Sequence, residues 1–342
     1  MKEVTEDGTV AWENKGYYTL DGFQNEPQRT NSLLQSSQFD TTWIETGTSV
    51  VGAQDQIGIN GVANTAWNLT DDDGAGYERI HQSIAIPADS NTHCPSVYIL
   101  KDSDTTRFPG VGAQINTGGT AQDYLVHVNT QTGAASVATS TGATARSNKV
   151  VSVGDWWRVI LTMANDGSNT NTNFFVRPAD GTVIGTRSNA ATGTIVVDAA
   201  QLELNSSFPT SFIETTTTAT TRNKSELSFA SAGVINDTEG SVFLEWTPSY
   251  ADGESAGGGI IGVGANGKLL YYSGTDVNSF DGTNTVLVLA APVAGTTYKF
   301  GITWTGTTLK TFVDGVLITT GTYDGSWAAG ATAYVSEFYA SN

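Results

Sequence analysis

The fold of this chain is decided over residues 200–222, which read AQLELNSSFPTSFIETTTTATTR. Apolar residues alternate with other residues up to Leu204, whereas the tract from Thr215 to Thr221 offers a core almost nothing to bury. A strand followed by such a tract is typical of the end of a domain and the start of a connector. The sequence therefore predicts two domains with a threonine-rich connector between them.

Length and composition agree with two globular domains. The chain has 342 residues, enough for two hydrophobic cores, and its 8 Trp, 12 Tyr and 13 Phe can fill them. Its single cysteine, Cys94, cannot form an internal disulfide. We therefore expect hydrophobic packing, and not covalent crosslinks, to stabilise both domains.

The charge of the chain excludes some partners. Acidic residues outnumber basic ones by 34 to 16, which gives a net charge of −18. Such a charge repels nucleic acid and anionic membrane surfaces. The longest apolar run, residues 286–293, is also far shorter than the roughly 20 residues of a membrane-spanning helix. We expect no nucleic-acid partner and no membrane insertion.

Turn signals indicate β-structure along the whole chain. Asp-Gly occurs nine times and Asn-Gly twice, and both pairs favour the tight turns of β-hairpins. Short β-branched and aromatic runs lie between these turns, and no window shows the 3.6-residue period of an amphipathic helix. Many short strands with regular turns favour antiparallel β-sandwiches over a parallel α/β sheet.

Three stretches in the first two thirds of the chain resemble one known module. They are EPQRTNSLL at 26–34, VGDWWRV at 153–159 and the stretch at 200–215. In this order they resemble the carbohydrate-binding-module-like jelly roll of tailed-phage virion proteins. The later stretches GSVFLEW at 240–246 and TFVDGVL at 311–317 resemble a concanavalin A-like, or laminin-G-like, lectin sandwich. The resemblance implies an all-β fold with two antiparallel β-sandwiches in tandem, a jelly roll and then a concanavalin A-like domain.

These observations divide the chain into four parts. Residues 1–29 carry scattered aromatic side chains and are predicted to be an entry or anchoring segment. The jelly roll is expected at 30–215, the threonine-rich connector at 216–224, and the second sandwich at 225–342.

The resemblance also implies a function. It suggests a non-enzymatic protein of the virion surface, a tail fibre or a head fibre or decoration protein, that binds host-surface polysaccharide. Its partners would be a host-surface glycan and other virion proteins. By analogy with phage fibres it would be a homo-oligomer, a trimer, held partly through residues 1–29. The alternatives are a purely structural capsid-decoration protein and a polysaccharide depolymerase.

The sequence offers little support for catalysis. Residues 253–257, GESAG, match the G-x-S-x-G pattern of a nucleophile elbow, but the three histidines all precede Ser255, opposite to the order of that hydrolase fold. Glu245 has no second carboxylate two residues away, as a strand-borne glycosidase pair would require. We therefore expect a protein that is not an enzyme.

Saccharide recognition needs flat aromatic rings and polar side chains for hydroxyl groups. The candidates in the first sandwich are Trp157, Tyr98, Tyr124, Tyr77, Arg79 and Arg107. For each aromatic, a place in the core is the alternative. Trp156 and Trp157 are neighbours on one predicted strand and must face opposite sides. In modules of the resembling kind the first tryptophan is in the core, which implies that Trp157 faces the ligand.

A structural calcium ion is the remaining candidate, and we expect no obligatory cofactor. Asp71 and Asp73 offer carboxylate oxygens, which calcium prefers, at a predicted turn. The resembling modules often hold calcium on an aspartate near their last strand, where Asp198 lies. An ordinary acidic turn is the alternative for Asp71 and Asp73.

Overall fold

The computed structural model describes most of the chain. The described residues are 2–4, 10–12, 26–48, 50–225, 227–248, 258–263, 267–327 and 332–337. They form two compact units, one that contains Arg29–Arg222 and one built mainly from residues after Asn223. Ser255 and most of the 1–29 segment, including Tyr17 and Tyr18, lie outside the described residues.

The described residues form strands, turns and loops. They include no helix of the length and apolar character that crossing a membrane requires. Together with the sheets given below, this confirms the predicted all-β class with antiparallel sandwiches.

The first unit contains two large antiparallel sheets and a separate two-stranded antiparallel sheet of β1 and β2, whose ranges follow. The strands are β1 (Lys2–Val4), β2 (Val10–Trp12), β3 (Arg29–Asn31), β4 (Ile44–Thr46), β5 (Trp67–Asp71), β6 (Arg79–Ala85), β7 (Thr92–Leu100), β8 (Phe108–Asn116), β9 (Gln122–Val128), β10 (Ala135–Thr141), β11 (Arg146–Val153), β12 (Trp156–Ala164), β13 (Asn171–Gly181), β14 (Gly193–Glu203) and β15 (Thr220–Arg222). The six-stranded sheet has the order β10-β9-β8-β13-β6-β4. The seven-stranded sheet has the order β11-β12-β7-β14-β3-β15, and β5 also pairs with β14. Inward-facing side chains of both sheets share one apolar core.

The second unit contains a six-stranded and a four-stranded sheet around a second core. Its strands are β16 (Leu227–Ala230), β17 (Glu239–Trp246), β18 (Gly258–Val263), β19 (Gly267–Tyr272), β20 (Asp276–Phe280), β21 (Thr285–Ala290), β22 (Tyr298–Thr305), β23 (Thr308–Val313), β24 (Val316–Thr322) and β25 (Thr332–Glu337). The sheet orders are β16-β25-β18-β19-β20-β21 and β17-β22-β23-β24. The stretch TFVDGVL forms the β23–β24 hairpin.

The stretch at 200–215 closes the first unit through buried polar side chains. Gln201 Oε1 accepts the Ile213 amide at 2.7 Å, and the Glu203 carboxylate accepts the backbone amide and the hydroxyl of Thr210. Burial raises the pKa of Glu203, although the bonds from Thr210 oppose this effect. The segment after β14 is therefore folded back and fixed by the side chains of β14 itself.

Asn31 joins three segments at this point. Its amide donates to the carbonyls of Ala200, at 3.1 Å, and of Ile213, at 2.8 Å. Its Oδ1 accepts the amides of Leu33 and Leu202 at 3.2 and 3.0 Å. The side chain is fully buried. The Asn31 side chain therefore gives hydrogen-bond partners to four backbone groups that burial removes from water.

The threonine tract differs from the predicted connector. Thr220–Arg222 forms β15, which pairs with β3 of the first unit. Thr215 is buried and donates its hydroxyl proton to the Leu33 carbonyl. Threonine suits a sheet edge because its branched side chain packs on a pleated surface while its hydroxyl is solvated or bonded. Part of the stretch predicted as a connector is thus an edge strand.

Candidate functional site

The outward side of the six-stranded sheet, here called the outer face, carries the candidate site. Alternation along β13 places Phe174 and Val176 in the core and Asn173, Phe175 and Arg177 on the outer face. The pairing of β13 with β6 and β8 then decides which residues lie beside these three.

A row of polar side chains crosses four strands of the outer face. Asn173 is opposite Ser83 on β6 and Gln114 on β8, and Gln114 is opposite Asp123 on β9. These four residues, the polar row, are half-buried or exposed. Neighbouring strands lie about 4.8 Å apart, so the row spans about 14 Å. It offers amide, hydroxyl and carboxylate groups in one line.

Three arginines surround one tyrosine at the edge of this face. The guanidinium carbon of Arg177 lies 4.0 Å from the centre of the Tyr77 ring, and those of Arg187 and Arg79 lie at 5.6 and 6.0 Å. Arg177 and Arg79 also lie over Phe175, at 5.2 and 5.3 Å. Guanidinium groups near the face of an aromatic ring are attracted by its electrons. Tyr77, Arg79, Arg177 and Arg187 are called the arginine–tyrosine cluster.

Asp180 binds two arginines of this cluster and His127. It accepts from Arg177 at 2.5 Å, from Arg187 at 3.3 Å and from His127 Nε2 at 2.8 Å. His127 Nδ1 accepts the Gly185 amide, so Nε2 carries the ring proton and donates it to Asp180. Burial opposes ionisation of Asp180, but the bond from His127 and the charge of Arg177 outweigh it and lower its pKa.

The loop that carries Tyr77 is fixed by two acidic side chains. Asp71 accepts the amide of Glu78 at 3.0 Å, and Glu78 accepts the amides of Thr48 and Asp72 at 2.7 and 2.9 Å. Asp73 accepts the Ala75 amide within a turn. The acidic turn at 71–73 therefore positions Tyr77 by binding backbone amides.

The predicted calcium ligands do not form a common site. Asp198 lies on β14 and accepts the amides of Ile59 and Ala199 at 2.9 and 2.7 Å. Within the described ranges no three Asp, Glu, His or Cys side chains are arranged to hold a metal ion. Asp71, Asp73 and Asp198 accept backbone amides in this structure, and the structural calcium ion stays a prediction.

The two neighbouring tryptophans face the opposite way from the prediction. Trp157 is opposite Ile99 and shares its side of β12 with the main core, at one end of the sandwich. Its ring nitrogen donates to the Thr130 carbonyl at 2.8 Å, and Lys101 lies 4.5 Å above the ring. Trp156 is buried on the other side of the sheet. Both sides of β12 are covered, which alternation alone does not reveal.

The other predicted saccharide contacts lie in different parts of the first unit. Tyr98 lies beside Trp156 and lines a cavity of about 420 Å³ on the seven-stranded sheet. Tyr124 is in the core, where its hydroxyl accepts from Asn148 at 2.7 Å. Arg107 is buried and pairs with Asp102 at 2.5 Å. Of the six predicted residues, only Tyr77 and Arg79 meet on the outer face.

The sequence analysis missed most of this site. The missed residues are Ser83, Gln114, Asp123, His127, Asn173, Arg177, Asp180 and Arg187. The stretch RPADGTVIGTR at 177–187 carries one signal, an Asp-Gly turn between two arginines. Such a turn brings its flanking residues close, but only the sheet register places them next to Tyr77.

The second unit exposes an apolar row on its four-stranded sheet. The row crosses four strands. Phe243 on β17 is opposite Gly301 on β22, Gly301 is opposite Phe312 on β23, and Phe312 is opposite Leu317 on β24. Phe243 is 73% exposed, and a cavity of about 650 Å³ lies beside it. Glu245 and Lys299 form an ion pair at 3.5 Å on the same side.

Two buried carboxyl groups of the first unit are expected to favour folding in mild acid. Burial raises the pKa of both Asp198 and Asp71 from 3.8 to about 6. A carboxyl group whose pKa is higher in the folded state favours folding when protonated, so its contribution to stability falls as the pH rises from about 4 to 6. Burial lowers the pKa of His81 and His93, which opposes this contribution in acid. We expect the two carboxyl groups to raise the melting temperature at pH 5 relative to pH 7.5, measured by calorimetry.

Variants separate this effect from general charge repulsion. Asp198→Asn should reduce the difference between the two pH values, whereas Asp40→Asn, at an exposed position, should leave it unchanged. An equal pH dependence of the melting temperature in Asp198→Asn and in the unmodified protein would contradict the assignment.

Comparisons with known proteins give partial likenesses. No protein-family model and no curated protein matches the chain. The enzymatically active domain of tailspike protein 4 from bacteriophage CBA120 is 15% identical over 51% of this chain, with a TM-score of 0.30, and the match spans 21% of that domain. TmCBM27, a carbohydrate-binding module with specific mannan recognition, is 13% identical over 52% of this chain and 98% of its own, with a TM-score of 0.29. Domains LG4-5 of the mouse laminin alpha1 chain are 10% identical over 76% of this chain and 79% of their own, with a TM-score of 0.21. At these scores no function is transferred from the three proteins.

Proposed function

We propose that this protein binds saccharides through the outer face of its first unit, as a non-enzymatic protein of a virion surface. The observation that carries the proposal is the Tyr77 ring, 36% exposed, on the same face as the polar row. Aromatic rings stack on the apolar faces of sugars, and amide, hydroxyl and carboxylate groups bind their hydroxyls. The outer face provides both kinds of group.

The state of Asp180 favours binding over hydrolysis. Glycoside hydrolysis requires two carboxyl groups that can act on the sugar and on water. Asp180 is 2% exposed and is occupied by His127 and two arginines. It is therefore not free to attack a sugar or to activate water. A depolymerase, the alternative, would release new reducing ends from its polysaccharide.

The virion setting is supported by the stretches at 26–34, 153–159 and 200–215, which resemble modules of tailed-phage proteins. In that setting the ligand is a host-surface polysaccharide, and other virion proteins are partners. A shallow face binds sugar weakly because a flexible glycan loses freedom when it is ordered. Several copies compensate through effective concentration, which agrees with a homo-oligomer, proposed to be a trimer.

Removing the exposed ring is expected to weaken saccharide binding. For Tyr77→Ala we expect about a fivefold loss of affinity or more, because one stacked aromatic ring contributes about 1 kcal/mol or more. The ligand is first identified on a glycan array with the unmodified chain, and affinities are then measured by calorimetric titration.

Phe229→Ala is the matched control, since Phe229 is 37% exposed and lies in the second unit. It should leave the affinity unchanged. Equal affinities of Tyr77→Ala and the unmodified protein would place the binding site elsewhere. Detectable reducing ends in the same samples would favour the depolymerase.

An assembly role is the second candidate function, and the apolar row of the second unit favours it. Exposed aromatic and aliphatic side chains in one row are typical of protein contacts. In that case the array would show no glycan, while sedimentation would show an oligomer that Phe243→Ser dissociates.

A further inference from the structure

We propose that the ligand of the outer face is an acidic polysaccharide whose anionic group binds the arginine–tyrosine cluster. The inference rests on the proposed function and specifies its ligand class. It follows from the balance of charge at the cluster and from one carboxylate oxygen of the polar row.

Positive charge exceeds negative charge at the cluster. Arg79, Arg177 and Arg187 surround Tyr77, while Asp180 is the one carboxylate that pairs with them in the described part of the chain. Arg79 forms no ion pair with another described residue, and it donates a hydrogen bond to the Thr46 hydroxyl at 3.4 Å. The whole chain has 16 basic residues and a net charge of −18. Three arginines at one ring in so acidic a protein indicate a local site for an anion.

The arginines differ in their accessibility. Arg177 is buried and bonded to Asp180, so it fixes the Tyr77 ring. Arg79 is half-buried and Arg187 is exposed, and both can present N–H groups to a ligand. Guanidinium groups bind carboxylate, sulfate and phosphate oxygens through paired hydrogen bonds. Arg79 and Arg187 are therefore the groups that contact the anion.

Asp123 supplies an acceptor for a hydroxyl group of the ligand. Its Oδ1 is buried and has no hydrogen-bond partner among the described residues. Burial raises the pKa of Asp123, and the nearby Arg177, Arg187 and Arg79 oppose this effect. A buried oxygen without a donor is unfavourable, and a sugar hydroxyl can supply the donor. When Asp123 is ionised, the three arginines of the cluster still outnumber the two carboxylates, Asp123 and Asp180. A sugar with an anionic group can therefore bind both the arginines and Asp123.

A glycan array tests the ligand class on the full chain. The array pairs neutral glycans with counterparts that bear uronate, sulfate or phosphate groups. We expect acidic glycans to bind at least tenfold more tightly than their neutral counterparts, and the three acidic sets identify the anionic group. Neutral glycans bound equally or better would overturn the inference while the proposed function stands. No bound glycan at all would contradict the proposed function itself.

Variants locate the anionic group on the cluster. Arg79→Gln with Arg187→Gln should reduce the affinity for the acidic glycan at least tenfold and leave the neutral counterpart within twofold. Lys149→Gln, at an exposed position on β11, removes one positive charge from the other sheet and should change neither affinity. An equal loss for acidic and neutral glycans in the double variant would overturn the assignment. Circular dichroism confirms that each variant is folded.

Discussion

Replacing Asn31 with alanine is expected to lower the free energy of unfolding of the first unit by about 3–5 kcal/mol. The substitution removes four hydrogen bonds that Asn31 makes to the buried backbone of β14 and of the segments around it. Each buried group left without a partner costs about 1–3 kcal/mol, and the costs are not fully additive. In calorimetry this should lower the melting temperature of the first unit by about 6–20 °C.

The neighbouring residue on β3 provides the control. Thr30 bonds to the Thr221 hydroxyl on the exposed side of the strand, so Thr30→Ala should cost less than about 1 kcal/mol. A loss below 1 kcal/mol for Asn31→Ala would show that water or backbone shifts replace the missing bonds. The transition of the second unit should not move in either variant.

Asp180→Asn is expected to destabilise the first unit by about 3 kcal/mol or more. The variant leaves Arg177 buried beside a neutral side chain, and an unpaired buried charge typically costs about 3–5 kcal/mol. It also removes the anchor of Arg187, so saccharide affinity should fall together with stability. Chemical denaturation and the binding titration measure the two effects separately.

A second substitution tests the cause of this loss. Arg177→Met in the Asp180→Asn background removes the unpaired cation and keeps apolar contact with Phe175. The double variant should be more stable than the sum of the two single losses implies, by at least about 1 kcal/mol. Asp104→Asn, at a more exposed pair with Arg107, should cost less than about 1 kcal/mol. Strict additivity would mean that Asp180 acts through packing and not through its charge.

Local sequence patterns were sufficient for some of the candidate site. Tyr77 and Arg79 are two residues apart, and both were predicted as saccharide contacts. Arg177, Asp180 and Arg187 lie about a hundred residues later, and nothing near them in sequence points to Tyr77. The antiparallel pairing of β13 with β6 brings them together. Strand register of this kind depends on side-chain packing across the whole core.

The same limit explains the correction of the two tryptophans. Alternation correctly placed Trp156 and Trp157 on opposite sides of β12. It could not show which side is the main core, because a second cluster covers the other side.

The sequence by itself determined the all-β class and the turns. These features follow from backbone preferences and from a two-residue alternation, both of which act over a few neighbouring residues. Only the tertiary structure decided that the threonine tract ends in an edge strand and that three arginines surround Tyr77. Long-range strand pairing decides such neighbours, because side chains that are distant in sequence become adjacent only when the sheet is assembled.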